Sequence, residues 1–192
     1  MNFEEAVMPH LDAAYNLARW LMRNEDDAQD MVQEAYLRAL RFFGGFHGTD
    51  AKAWLLTIVR NTCYTSLKRN KSAELLADFE EVVLTKESDE PDPEAMHVLK
   101  VRAQLVNEAI EKLPVEFREV VILRELEELS YKEIAEITAI PIGTVMSRLS
   151  RARKRLLVGL RGIVQVEPVD KTAKHKPPAI KCRIELVQAG NN

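Results

Sequence analysis

The stretch from Ser130 to Leu160 constrains this chain more than any other. Ser130-Tyr131-Lys132-Glu133 has the form of a capping box. In such a box the serine hydroxyl accepts the amide three residues on, and the glutamate reaches back to the serine amide. The helix it opens is short and turns Ile134, Ala135 and Ile137 inward. Ala139-Ile140-Pro141 supplies a turn, and a last helix follows from about Ile142 to Leu160. Val145, Leu149, Ala152, Leu156 and Leu160 lie on one stripe of that helix. Thr144, Arg148, Arg151 and Arg155 lie on another, with Ser147 beside them. Two helices joined this tightly have the form of a helix-turn-helix. A second helix that packs by an aliphatic stripe and presents hydroxyls and arginines suits the DNA major groove. Arginine bonds guanine edges bidentately, and Thr or Ser reaches a base or a phosphate. Arg153, Lys154 and Arg161 flank this face as phosphate contacts. Arginine-rich surface helices are often merely solvated, so charge alone decides little. The cap, the short first helix, the proline turn and the Thr/Ser/Arg face decide it together.

The rest of the chain is also helical in pattern. Val7, Leu11, Ala14, Ala18 and Leu21 recur at spacings of three and four, one stripe of a helix. Asn24 offers an N-cap, and Asp26, Asp27 and Asp30 stand where a helix dipole favours negative charge. Ala28, Met31 or Val32, Ala35 and Ala39 carry that helix to about Phe43, and Gly44, Gly45 and Gly48 end it. Asp50 can cap a third helix, with Ala51, Trp54 or Leu55, Ile58 and Thr62 inward. After residue 94, Leu99, Ala103, Val106, Ile110 and Leu113 restore the helical spacing. Pro114 then opens a further helix through Phe117, Val120 and Val121 to about Leu129. Apolar residues make up 46% of the chain and aromatics only 6%, which fits long helices better than a sandwich of short strands. The expectation is an all-α protein of two small helical domains joined by a flexible acidic linker. Residues 1–72 form one unit, 73–94 the linker, 95–162 the second unit and 163–192 a basic flexible tail.

The net charge of −3 looks wrong for a nucleic-acid binder, but the charges are segregated. Residues 60–71 carry Arg60, Lys68, Arg69 and Lys71 and no acid. Residues 78–94 carry eight acids against Lys86. Residues 130–161 carry seven basic groups against Glu133 and Glu136. Two basic surfaces and one acidic strap are hidden in the near-neutral sum. Cys63 and Cys182 are far apart, and the four histidines are scattered singly. No metal site, no catalytic pair and no cofactor motif is expected from them. Nothing at the N-terminus resembles a signal peptide and no apolar run approaches a membrane span, so a cytoplasmic protein without membrane insertion is expected.

At this point two motifs become specific. Leu129 to Leu156, with Gly143-Thr144-Val145-Met146-Ser147-Arg148-Leu149-Ser150-Arg151-Ala152 at its centre, resembles region 4 of sigma-70 family transcription factors. Leu113-Pro114 and Phe117-Arg118-Glu119-Val120 are similar to the opening of that region. Asp26 to Ala39 resembles region 2.2, and Ala53 to Asn61 resembles the segment after it. The resemblance covers about residues 1–162 with both motifs in order. The absence of any further sigma-like segment points to the extracytoplasmic-function (ECF) subgroup.

The resemblance implies a non-catalytic specificity subunit that directs core RNA polymerase to promoters. The positions matching the family's polymerase-docking helix, which meets the coiled coil of the largest subunit, are Asp30, Gln33, Glu34, Leu37 and Arg38. Phe46, His47 and Thr49 fall in the loop implied to capture an unstacked base of the −10 element. Arg60, Asn61, Tyr64 and Lys68 lie on the adjoining helix and would line the strand. Thr144, Ser147, Arg148, Arg151 and Arg155 would read the −35 element as duplex. Promoter DNA and an anti-sigma factor are the further partners implied. Trp54 is read as core rather than as a stacking platform. A stand-alone helix-turn-helix regulator would explain 114–161 but leave 24–62 without purpose. An enzyme would need a nucleophile-base pair or metal cluster that the sequence lacks, and a pure adaptor must treat the recognition-helix pattern as accident.

Overall fold

The computed structural model describes residues 2–48, 50–74 and 94–160, with side chains described through Asn70 and again from Ala103. Thr49, most of the expected acidic linker, Arg161 and the expected basic tail lie outside the described residues. Every regular element among the described residues is helical: α1 Phe3–Val7, α2 Leu11–Met22, α3 Glu25–Phe42, α4 Ala51–Glu74, α5 Glu94–Glu111, α6 Val115–Val121, α7 Tyr131–Thr138 and α8 Ile142–Gly159.

Local chemistry explains most of the boundaries. Asn24 caps α3 by accepting from the amides of Asp26 at 2.8 Å and Asp27 at 3.2 Å. Such a cap is worth about 1 kcal/mol, and Glu25, Asp26 and Asp27 in the first turn complement the dipole. Asp50 Oδ1 accepts from Ala53 at 2.9 Å and starts α4. The Ser130 capping box closes in both directions: Glu133 N donates to Ser130 Oγ at 3.2 Å, and Ser130 N donates to Glu133 Oε2 at 2.7 Å. Arg23 (φ 64°) ends α2 and Ala139 (φ 54°) ends α7 in the left-handed conformation.

Two expectations need correction. The stripe from Val7 to Leu21 is not one helix, because Met8–His10 forms a 3-10 turn around Pro9 that separates α1 from α2. The helix expected to run to Leu129 leaves the α pattern after Val121. Ile122–Leu126 is a π-helical segment, and Glu127 N donates to Ile122 O at 3.1 Å. Glu128 then adopts φ 57°, and Arg124 Nη1 donates to Leu129 O at 2.7 Å. The extra residue in the ladder turns the chain sharply into α7.

Helices α2, α3 and α4 pack on one another, while α6 and α7 each pack on α8. The two groups also meet: α7 lies against α4, and α6 against α2. Leu17, Leu21, Leu55, Leu56 and Val59 belong to the same buried cluster as Ile122, Leu123, Ile134, Ile137 and Leu149. Polar contacts cross the seam. Lys52 Nζ lies 3.0 Å from Glu127 Oε2 and donates to Glu127 O at 3.2 Å. Asn16 Nδ2 donates to Glu127 Oε1 at 3.4 Å.

Candidate nucleic-acid interface

Helix α8 divides as its sequence requires. Val145, Leu149 and Ala152 are buried, while Ser147, Arg151 and Arg155 are exposed and Thr144 and Arg148 are half-buried. Ser147 Oγ donates to Thr144 O at 3.0 Å, which fixes the rotamer and leaves its lone pairs outward. The Arg155 guanidinium sits 5.0 Å from the Phe117 ring centroid, so it is held rather than floppy. Arg153 departs from its expected role. It donates to Glu125 Oε1 at 2.7 Å with its side chain 24% exposed, and so ties α8 to the π segment. Ile142 and Met146 are exposed apolar residues on the same helix.

The loop before α4 is organised by aromatic packing. Phe46 lies 4.7 Å from Trp54 and 6.0 Å from Phe43, centroid to centroid, and Phe43 meets Phe3 edge-on. Phe46 is thus half-buried against Trp54, while His47 is exposed. On α4, Asn61 and Lys68 are exposed, but Arg60 and Tyr64 are turned toward the second unit. Arg60 Nε is bonded to Glu119 Oε1, and Tyr64 OH donates to Glu119 Oε2 at 3.1 Å. The Arg60 guanidinium also stacks 4.5 Å over the Tyr64 ring. Expected to line a nucleic-acid strand, these two side chains here hold a carboxylate of α6.

Glu119 is the centre of this arrangement, and sequence reasoning missed it. Its side chain is fully buried. Burial raises its carboxyl above the ordinary carboxylate range, outweighing the lowering by Arg60, the Tyr64 hydrogen bond and the charge of Arg148. Burial, with Glu119 beside it, also raises the Tyr64 phenol. The neighbouring Arg118 is buried, and its Nε and Nη1 have no hydrogen-bond partner among the described residues. Burial and the nearby charge of Arg23 pull it down to about 10. The sequence shows an acid and a base wedged between Phe117 and Val120, but it does not name their partners.

A groove runs between α3 and α4. Asp30, Gln33, Glu34, Leu37 and Arg38 line it from one side and Thr62, Thr65, Ser66 and Arg69 from the other. All five residues expected to dock a large partner therefore share one wall. Arg38 donates to Glu34 Oε1 at 2.8 Å and to Thr62 Oγ1 at 3.4 Å, so it bridges the two walls of the groove. Leu37, Leu40 and Phe42 are exposed apolar residues of α3; the last two were not anticipated. Cys63 is buried, and burial pushes its thiol up to about 12, so it is held as the unreactive thiol. Among the described residues no cluster of His, Cys, Asp or Glu could hold a metal ion. No helix among them is long and apolar enough to cross a membrane.

Two family models match the chain: Sigma-70 region 2 over residues 6–73 and Sigma-70, region 4 over residues 103–156. The ECF RNA polymerase sigma factor SigE of Mycolicibacterium smegmatis is 33% identical over 159 residues. That match covers 81% of this chain but only 60% of the mycobacterial protein. The ECF RNA polymerase sigma-E factor of Haemophilus influenzae is 37% identical over 147 residues, 73% of this chain and 77% of that protein. Among solved structures, the sigma factor RpoE in complex with the anti-sigma factor NepR from Bartonella quintana is 30% identical. It superposes with a TM-score of 0.69 over 84% of this chain and 98% of that one.

Proposed function

The chain belongs to the sigma-70 family, as an RNA polymerase sigma factor of the ECF subgroup, and from that premise we propose how its residues divide the work. The unit α1–α4 docks on core RNA polymerase through Asp30, Gln33, Glu34, Leu37 and Arg38, the α3 wall of the groove. Phe46, His47, Thr49, Arg60, Asn61, Tyr64 and Lys68 take the melted −10 strand. Unpairing costs a few kcal/mol per extruded base, so a pocket that holds one base biases promoter opening. Thr144, Ser147, Arg148, Arg151 and Arg155 read the −35 duplex from α8. The protein acts in the cytoplasm as a specificity subunit without chemistry of its own. An anti-sigma factor holds it in check, a role supported by the complex in which the RpoE relative was solved.

The observation that carries this reading is the division of α8. Ser147, Arg151 and Arg155 stand exposed above a buried Val145-Leu149-Ala152 seam, on the same chain as the α3–α4 groove. The test is run-off transcription with core RNA polymerase on a pool of genomic promoter fragments. Discrete new starts with the protein present are expected, and their upstream alignment gives both promoter elements. Tight duplex binding by the protein alone, with no new starts, would instead make it a stand-alone regulator. Glu34→Lys is expected to weaken polymerase capture while duplex binding by the free protein holds; unchanged capture would remove Glu34 from the docking wall. Each phosphate contact is expected to add about −0.9 to the slope of log affinity against log salt.

A further inference from the structure

One carboxylate faces side chains drawn from both proposed nucleic-acid surfaces. Glu119, on α6, is bonded by Arg60 and Tyr64 of α4. Arg148 of α8 is near enough for its charge to act on both Glu119 and Tyr64. A guanidinium and a phenol on one anion, with a second guanidinium close by, is how a protein holds a phosphate. Here the anion is supplied by the chain itself. Beside it, Lys52 and Asn16 of the first unit bind Glu127, whose side chain is 7% exposed. The two seam carboxylates come from the second unit, and their bonded partners named here come from the first.

We propose that Glu119 is an internal phosphate mimic that latches the two units closed, with Glu127 as a second catch, so that the free chain masks its own strand-binding face. The proposal rests on the reading of α4 and α8 as nucleic-acid faces. Arg60 and Tyr64 cannot hold Glu119 and line a DNA strand at once, because the side chains are committed to the carboxylate. The latch is releasable for a physical reason. A buried ion pair sets its attraction against the desolvation of both charges, and the two nearly cancel. Arg118, buried with two nitrogens that have no partner among the described residues and close to the charge of Arg23 just after α2, opposes closure at the same seam. A competing polyanion or a partner that prefers the open form can therefore shift the balance.

The test uses the full chain with Cys182→Ser and spin labels at Gln29→Cys on α3 and Lys154→Cys on α8, both exposed positions. Pulsed electron resonance then reads the separation of the two units. The parent is expected to give one narrow distance. The isosteric pair Glu119→Gln and Glu127→Gln is expected to broaden and lengthen it. Lys52→Glu, at a half-exposed position, is expected to act the same way and guards against misfolding of the first pair. Binding of a labelled random-sequence single strand is read in parallel. Opening a chain that is about 90% closed strengthens apparent binding about tenfold. Glu4→Gln with Glu5→Gln, two exposed acids of α1, removes equal charge and is expected to change neither readout. An unchanged narrow distance in both seam variants overturns the latch. Opening with binding no tighter than in the charge control overturns the masking. Run-off transcription then separates the causes: new starts leave the sigma-factor reading intact, and their absence removes it too.

Discussion

Helices α4 and α8 are both long, both basic and both proposed to meet DNA, yet they are placed in opposite ways. Helix α8 packs through a single seam, Val145, Leu149 and Ala152, and leaves Ser147, Arg151 and Arg155 to solvent. Helix α4 buries Leu55, Leu56, Val59, Thr62, Cys63 and Ser66, because α2 and α3 cover it on one side and α7 on another. Its Arg60 is spent on an internal carboxylate. A polar face is free only when nothing in the chain competes for it. On α8 Ser147 and Arg151 stay exposed while Arg153 is taken by Glu125; on α4 the second unit takes both Arg60 and Tyr64.

The hardest blow to this contrast falls on the seams. Leu149→Ala removes a side chain that is 1% exposed and is expected to cost about 2–5 kcal/mol of unfolding free energy. Leu56→Ala on α4, at 0% exposure, is expected to cost as much. The two should differ in reach. Amide exchange is expected to accelerate mainly in α5–α8 for Leu149→Ala, and in both units for Leu56→Ala, because α4 packs on α7 as well as on α2 and α3. Equal and global acceleration in both variants would make the whole chain one cooperative unit and erase the distinction.

The next largest effects separate function from stability. Arg151→Ala is expected to weaken promoter-dependent transcription by about 1–3 kcal/mol of recognition energy. Its unfolding free energy should move by less than about 0.5 kcal/mol, as for an exposed residue. Arg60→Ala should behave differently. It strands the buried Glu119, so a change in domain closure is expected together with the loss of −10 function. Denaturation checks the first variant, and the pulsed-resonance distance between the two units checks the second, each beside run-off transcription. If Arg60→Ala loses transcription while the spacing of the two units holds, its ion pair with Glu119 does not maintain closure.

These contrasts also show what the sequence could reveal. The α8 faces were legible because one-sided packing writes a single stripe at helical spacing. The caps at Asn24, Asp50 and Ser130 were legible because capping chemistry is local. The groove residues on α3 came only through family resemblance, since Asp30, Gln33 and Glu34 read otherwise as a solvated face. The break at Pro9 was available and overlooked: Val7 to Leu21 kept its spacing across it, and periodicity outvoted the proline. The π segment had no signal, because an extra residue in the ladder is a response to packing. Glu119 was illegible for a deeper reason. Its partners Arg60 and Tyr64 lie 59 and 55 residues away in sequence, across the interface of two units. A charged residue beside apolar neighbours announces a buried pair only when the partner is known.

The smallest expected effect concerns the cap that aims α7 at α4. Ser130 Oγ accepts from Glu133 N at 3.2 Å, and the Glu133 carboxylate accepts from Ser130 N at 2.7 Å. Ser130→Ala removes the first bond and keeps the second, so a loss of about 1 kcal/mol is expected. Glu133 keeps its carboxyl below the ordinary carboxylate range, through its hydrogen bonds with Ser130. A depressed carboxylate contributes stability that is present above its unfolded value and lost as pH falls through its folded one. Glu133→Gln should therefore flatten the acid limb of stability against pH relative to the parent. Because α7 rests on α4, the fraying of its first turn should also loosen the cover over the α4 seam. Cys63, buried farther along α4 near Glu119 of α6 with its thiol pushed up to about 12, reports whether the loosening spreads along that seam. Faster alkylation of Cys63 in Ser130→Ala than in the parent is expected, in a background of Cys182→Ser. Unchanged alkylation with the same loss of stability would mean that α7 frays without uncovering α4, and that the two-sided burial of α4 does not depend on this cap.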